Sequence, residues 1–245
     1  MDDFLLFVAI GFAAQLVDGA LGMAYGVTAM TVLLSLGIPP APASASVHTA
    51  EVVTTGISGL SHWGFGNVDR YLFQRLVVPG MIGGAIGAYV LTAVPGEAVR
   101  PFVSAYLLAM GALILLKAMR PPAPPREPRG LRPLGLLGGF LDAVGGGGWG
   151  PIVTSTLVGT GAAPRYAIGS VNAAEFFVTV VVAATFVVTI GVTHPRVVAG
   201  LLVGGALAAP LAAYVVRYLP TRPLMILVGT VVVLLSARGL VQALG

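Results

Sequence analysis

Eight apolar runs, at approximately residues 4–36, 43–64, 71–94, 99–118, 131–160, 164–190, 196–218 and 222–243, take up almost all of this 245-residue chain. Only 9% of the residues are charged and 57% are hydrophobic, whereas an ordinary soluble domain carries roughly 25% charged residues. Runs this long, without alternating polarity, are helices: a spanning strand needs only about ten alternating residues, a spanning helix about twenty continuous apolar ones. The chain reads as all-α, a polytopic helical membrane protein set in the lipid bilayer. Within hydrocarbon, any backbone that leaves the helix must be buried in protein or line a water-filled cavity.

A net charge of +4 would suggest nucleic acid as a partner of a soluble protein. Here the basic residues stand between the apolar runs, as loop charges that set topology, so no nucleic-acid partner is expected. There is no cysteine, which excludes disulfides and thiolate metal sites. Met1 Asp2 Asp3 lacks the basic region of a signal peptide, so the first run is expected to remain in a multi-pass protein of the inner cell membrane.

The Pro- and Arg-rich stretch 120–132 cannot be helical and carries charges that favour the cytoplasm, so it divides the chain into residues 1–119 and 133–245. The two parts repeat. A shift of 124 positions carries Asp18 to Asp142, Gly22 to Gly146, Tyr25 to Trp149, Gly26 to Gly150, Ser46 to Ser170, His48 to Asn172, Glu51 to Glu175 and Thr55 to Thr179. One inserted residue extends the match from Ala88 Tyr89 Val90 to Ala213 Tyr214 Val215. The expected architecture is two homologous repeats of four elements, with the small faces of Gly80, Gly83, Gly84, Gly87, Gly200, Gly204 and Gly205 packing helices closely.

The first element of each repeat is too long for one straight span: residues 4–36 would measure about 50 Å against a hydrocarbon core of ~30 Å. Each is interrupted, at Gly19–Gly26 and at Gly145–Pro151. Broken elements that cross would make the repeats parallel; elements that turn back would make them inverted. Loop charges do not separate the two cases, and the helix-length argument together with the acidic N-terminus favours re-entrant elements and inverted repeats. The two breaks are expected to face each other and a substrate.

Half-helices that restart after such breaks present unpaired N–H groups and the positive end of a dipole, which makes an anion site without any lysine or arginine. Gly22, Tyr25, Gly26, Gly146, Gly147, Gly148 and Trp149 are the candidate substrate-binding residues of the breaks, Tyr25 and Trp149 as hydrogen-bond donors to a bound oxyanion. His48 and Glu51 share one helical face, as do Asn172 and Glu175, so His48 and Asn172 join the candidate site. Glu51 and Glu175 are candidate proton-coupling groups, because a carboxyl held away from water can exchange a proton near neutral pH. Asp18 and Asp142, just before the breaks, either cap the half-helices or line the cavity.

Two look-alikes carry no weight. The Gly145–Gly150 run lacks the Lys-Ser/Thr and preceding strand of a phosphate loop, and His48-x-x-Glu51 is matched by Asn172-x-x-Glu175, which excludes a two-histidine metal pair. No cofactor, no metal site and no enzymatic constellation is expected. The alternative to anion transport is a cation transporter in which Asp18, Glu51, Asp142 and Glu175 are ligands assisted by His48.

The segments Gln15–Thr28, Ala45–Glu51, Leu141–Pro151 and Gly169–Glu175 resemble those of the sulfite exporter TauE/SafE family of bacterial membrane transporters. The resemblance covers essentially the whole chain. It implies efflux or uptake of small sulfur-containing or organic anions, sulfite- or sulfonate-like, coupled to protons. A homo-oligomer is compatible with it. The chain departs from the commoner family pattern in its first half, where Gly22 Met23 Ala24 Tyr25 Gly26 Val27 stands in place of a triple glycine followed by proline.

Overall fold

The computed structural model describes residues 2–21, 23–119, 127–215 and 221–244, whose regular structure is entirely helical. The helices are α1 (Asp2–Leu21), α2 (Tyr25–Ser35), α3 (Pro40–Gly64), α4 (Arg70–Ala93), α5 (Gly96–Met119) and α6 (Leu131–Gly145). A π-helical turn, Gly150–Thr154, runs into α7 (Ser155–Gly159), followed by α8 (Pro164–Ile190), α9 (Pro195–Val215) and α10 (Thr221–Leu244).

Each apolar run has become one helix, except the first and the fifth, which are split. The first split is shorter than the glycine pattern suggests: α1 continues through Gly19, Ala20 and Leu21, and Gly22 lies outside the described residues. The linker is also trimmed, because α6 already begins at Leu131, with Pro133 in its first turn where the missing N–H is harmless; residues 120–126 lie outside the described residues. Proline likewise opens α3 and α8. The α4 start is capped by Asp69, whose Oδ1 accepts the N–H groups of Tyr71 and Leu72 at 2.8 and 3.2 Å.

Among the described residues, four helices are long and apolar enough to cross a membrane: α4, α5, α8 and the Arg222–Leu244 part of α10. The 25-residue α3 is long enough, at about 38 Å, but dilutes its hydropathy with Ser44, Ser46, His48, Glu51, Thr54 and Thr55, all buried. A helix with that many polar groups turned into the protein keeps one polar face inside, while Val53, Ile57, Leu60 and Trp63 stay exposed on the other.

Close helix contacts set the directions of the chain. α1 runs alongside α9 in the same sense, with Gly200 against Phe4 and Phe7 and Gly204 against Val8 and Phe12. α4 and α6 also run in the same sense, with Leu76 against Gly135, Gly80 against Gly139 and Gly87 against Phe140. α3 and α8 run in opposite senses, Gly56 lying against Phe176, Gly59 against Ala173, and the His48 and Phe186 rings 6.2 Å apart. α5 and α10 are opposed too, with Ser104 against Gly239, Gly111 against Val232 and Leu115 against Gly229. As a result α1 and α3 both begin at the end of the molecule where α8 turns into α9, whereas α6 and α8 both begin at the other end, beside the α3–α4 turn.

The α4/α6 contact gives a direct test of this packing. A side chain at Gly83 would overlap the Leu136 carbonyl, so Gly83→Val should lower stability by about 1 to 3 kcal/mol, whereas Gly64→Ala, with no atom within 4 Å, should be neutral. Melting curves of the two variants in detergent would check the difference.

Candidate functional site

The two breaks are built alike. In the first, Ala24 takes a left-handed φ of 88°, the one positive φ outside glycine among the described residues, and α2 restarts at Tyr25. The backbone N–H of Tyr25 donates to Asp18 Oδ1 at 3.3 Å. In the second, Gly146 and Gly147 take φ values of 68° and 149°, and the N–H of Trp149 donates to Asp142 Oδ1 at 2.9 Å. In both, an aspartate near the end of one half-helix receives the N–H of the aromatic residue seven positions on, where the chain re-enters a helix.

The breaks touch. A Cβ placed on Gly26 would lie 2.6 Å from Gly147 Cα and 2.8 Å from the Gly146 carbonyl oxygen. One placed on Gly147 would overlap the backbone of Gly26 and Val27, and one on Gly150 would press on Met23 and Ala24. Only glycine lets the start of α2 and the irregular backbone of the second break pass this closely. Tyr106, on α5, closes over the second break and donates its hydroxyl to the Gly147 carbonyl at 3.1 Å.

The four acids gather around this junction. Glu51, 5% exposed, faces the backbone N–H of Gly26 and is close enough to Asp142, Glu175 and Asp18 to interact with each electrostatically. Glu175, partly buried on α8, interacts in the same way with Asp18 and Asp142. Among the described residues, no three His, Asp or Glu side chains come together closely enough to hold a metal ion.

His48 and Asn172, equivalent in sequence, have different partners. His48 is fully buried, its Nε2 3.1 Å from Asp142 Oδ2 and its Nδ1 2.8 Å from the Ser44 carbonyl oxygen. Asn172 donates its amide to the Ile168 carbonyl at 2.9 Å and accepts from Ser58 Oγ at 3.1 Å, so it joins α8 to α3 instead of meeting Asp18. Tyr25 and Trp149 are buried walls of the junction whose donors are engaged: the Tyr25 hydroxyl by the Leu201 carbonyl at 3.3 Å, the Trp149 indole N–H by the Val171 carbonyl at 3.1 Å. In this conformation neither donor is free for an oxyanion.

Lys117 also differs from its sequence reading as a loop charge. From the last turn of α5 it reaches inward, half-buried, to place its ammonium 3.5 Å from Met23 Sδ at the edge of the first break. Sequence reasoning also passed over Ser44 and Tyr106. Ser44 stands one helical turn before His48, a spacing that could have flagged it. Tyr106 is an isolated aromatic in an apolar helix and offered no such signal.

A family model described as Sulfite exporter TauE/SafE matches residues 7–239. The chain is 42% identical over 252 residues to a Bacillus subtilis (strain 168) protein named "Probable membrane transporter protein YtnM", covering 99% of this chain and 84% of that one. No solved structure matches. Both likenesses run from the first helix to the last and take in both glycine breaks, which is the extent of a shared fold and not of a borrowed segment. The chain therefore belongs to the sulfite exporter TauE/SafE family, as a multi-pass bacterial membrane transporter and not an enzyme.

Proposed function

We propose that this transporter moves small sulfur-containing or organic anions, sulfite- or sulfonate-like, in exchange with or alongside protons, through a site at the junction of its two breaks. The observation that carries this reading is the contact of Gly26 with Gly147, which brings the two half-helix starts together beside four carboxyl groups. Helix starts attract anions. Here the donors face the protein's own acids, with Tyr25 N–H on Asp18, Trp149 N–H on Asp142 and Gly26 N–H facing Glu51. An anion entering the site competes with those carboxylates for the same donors. Protonation of Glu51 frees the Gly26 N–H and protonation of Glu175 lowers the negative charge beside it, so anion binding and proton binding favour each other.

On this reading the remaining site residues have simple places. Gly146 and Gly148 with Gly26 and Gly147 let the backbone approach the substrate, Tyr25 and Trp149 wall it in, and His48 and Asn172 form the faces of α3 and α8 toward it. Lys117, near the linker end, adds a positive charge at the edge of the path.

The same proposal makes residues 1–119 and 133–245 inverted repeats about the linker. Support comes from helix direction: α3 opposes α8 and α5 opposes α10, the members of each pair holding the same place in the order of the two halves. The partners also exchange, α1 of the first half lying on α9 of the second and α6 of the second on α4 of the first. Each broken element begins and ends at one end of the molecule, as a re-entrant element does. With the Pro-Arg linker inside, both chain termini lie outside.

Melting temperature in detergent, measured against sulfite, thiosulfate, sulfoacetate, other small carboxylates and divalent cations at two pH values, tests the substrate class. A ligand at a hundredfold excess over its Kd adds ~2.7 kcal/mol of apparent stability. Stabilisation by one class of anion, greater at the lower pH, is the expected result. Stabilisation by a divalent cation alone, greater at the higher pH, would make the carboxyls ligands and replace this reading with a cation transporter.

A further inference from the structure

We propose that His48 and Asp142 form a single-proton site that joins the two halves of the transporter, in addition to the two glutamates. Its use in transport rests on the proton-coupled reading above; its existence does not.

The ring's hydrogen-bond partners determine where its protons are. Nδ1 lies 2.8 Å from the Ser44 carbonyl oxygen, which can only accept. It also lies 3.3 Å from Ser44 Oγ, and that hydroxyl gives its own hydrogen to the Ala143 carbonyl at 2.6 Å, which leaves its oxygen to accept from the ring. Nδ1 therefore carries hydrogen. A neutral ring then has its lone pair on Nε2, and Nε2 faces Asp142 Oδ2 at 3.1 Å with both side chains buried.

Two arrangements satisfy that contact. In one the ring is an imidazolium whose Nε2–H donates to a carboxylate; in the other a neutral ring accepts from a protonated carboxyl. Both hold one proton on the line between Nε2 and Oδ2, and both leave the pair neutral overall. Without that proton a lone pair faces a carboxylate at hydrogen-bonding distance, with no donor between them. The proton is thus a condition of the His48–Asp142 contact, which stands beside the Ser44–Ala143 hydrogen bond between α3 and α6.

The contact also bears on the second break. Asp142 Oδ1 holds the Trp149 N–H, so a carboxyl that leaves His48 carries the restart of that half-helix with it. The first break has no counterpart, since Asn172 is engaged by Ile168 and Ser58 and Asp18 meets only Tyr25 N–H among the described hydrogen bonds. The asymmetry makes this one site and not two. The other ionisable groups facing the pair are Glu51 on α3, Glu175 on α8 and Tyr106 on α5, with Asp18 on α1 beyond Glu51. On the α8 side the Phe186 ring packs at a tilt against the imidazole, with the ring centres 6.2 Å apart.

The chain has three histidines, so His62→Gln with His194→Gln leaves His48 as the one ring for nitrogen-15 NMR of imidazole-labelled protein in detergent. The expected spectrum, recorded from about pH 5 to about pH 9, shows Nδ1 protonated and Nε2 either protonated or strongly hydrogen-bonded throughout. A bare Nε2 anywhere in that range, or a ring protonated on Nε2 with Nδ1 bare, would overturn the proposal. In Asp142→Asn the amide is a weak donor, so the Nε2 signal should move toward that of a neutral acceptor; an unchanged signal would also overturn it. Should that variant fail to accumulate, the pH series on the parent protein decides alone. No substrate is needed, so this measurement can fail while anion transport stands, and succeed while it falls.

Discussion

Alanine at position 147 is expected to abolish the folded transporter. Gly147 holds φ at 149°, a region that a residue with a Cβ adopts only at a cost, and the added Cβ would overlap the Gly26 carbonyl carbon and the Val27 nitrogen. The two effects together come to about 3 to 5 kcal/mol, a large share of the margin by which an ordinary domain is stable. Gly66→Ala is the control. Its φ is 65°, also unfavourable, but nothing lies within 4 Å, so only the backbone term of about 1 kcal/mol remains. Yield and size-exclusion profile of the two variants in detergent would separate them. A Gly147→Ala protein that folds and melts like Gly66→Ala would mean that the two breaks do not meet as described.

Glu51→Gln and Glu175→Gln are expected to flatten the pH dependence of transport while leaving anion binding in place. Glutamine keeps the shape and an acceptor but can neither take up nor release a proton. Flux that depends on one proton changes by up to about tenfold per pH unit, and each variant should lose most of that response. Anion-induced stabilisation should persist and lose its dependence on pH, because a neutral amide at position 51 or 175, like the protonated acid, adds no negative charge to the site. Flux into vesicles at a series of pH values, with melting curves on the same samples, measures both. An unchanged pH profile in the two variants would remove the glutamates from proton coupling and leave Asp18, and His48 with Asp142, as the remaining candidates at the junction. Loss of binding of every ligand tested, anionic and cationic, would assign both glutamates to structure.

Both predictions draw on features that were visible in the sequence to different degrees. The glycines of the second break and the paired Ser-Val-x-x-Ala-Glu segments stand out in the chain, because glycine runs and buried acids are rare in apolar helices. What Gly147 approaches was not visible. Its neighbour Gly26 is far away in sequence, and no local pattern reports a contact of that range. The first break shows the opposite failure: a glycine-rich stretch suggested a longer interruption, yet α1 holds its hydrogen-bonded ladder to Leu21, and the left-handed position falls on Ala24. Packing against α9 and the hydrogen bond from Tyr25 N–H to Asp18 outweigh the intrinsic preference of single glycines.

His48 marks the same division. Its spacing from Glu51 put both on one face of α3, and in the fold both are turned into the protein. The choice of Asp142 as partner, and with it the asymmetry between His48 and Asn172, comes from how α3 packs against α6.

Composition and periodicity by themselves determined that this chain is a bundle of membrane helices, where those helices lie, and which two of the apolar runs are broken. Those properties follow from the cost of exposing or burying side chains and peptide groups, which each short segment settles for itself. The contact of Gly26 with Gly147 within the facing breaks, the engagement of Tyr25 and Trp149 by carbonyls and the His48–Asp142 contact were decided by tertiary structure alone, because they depend on how surfaces distant in sequence fit together once the helices exist.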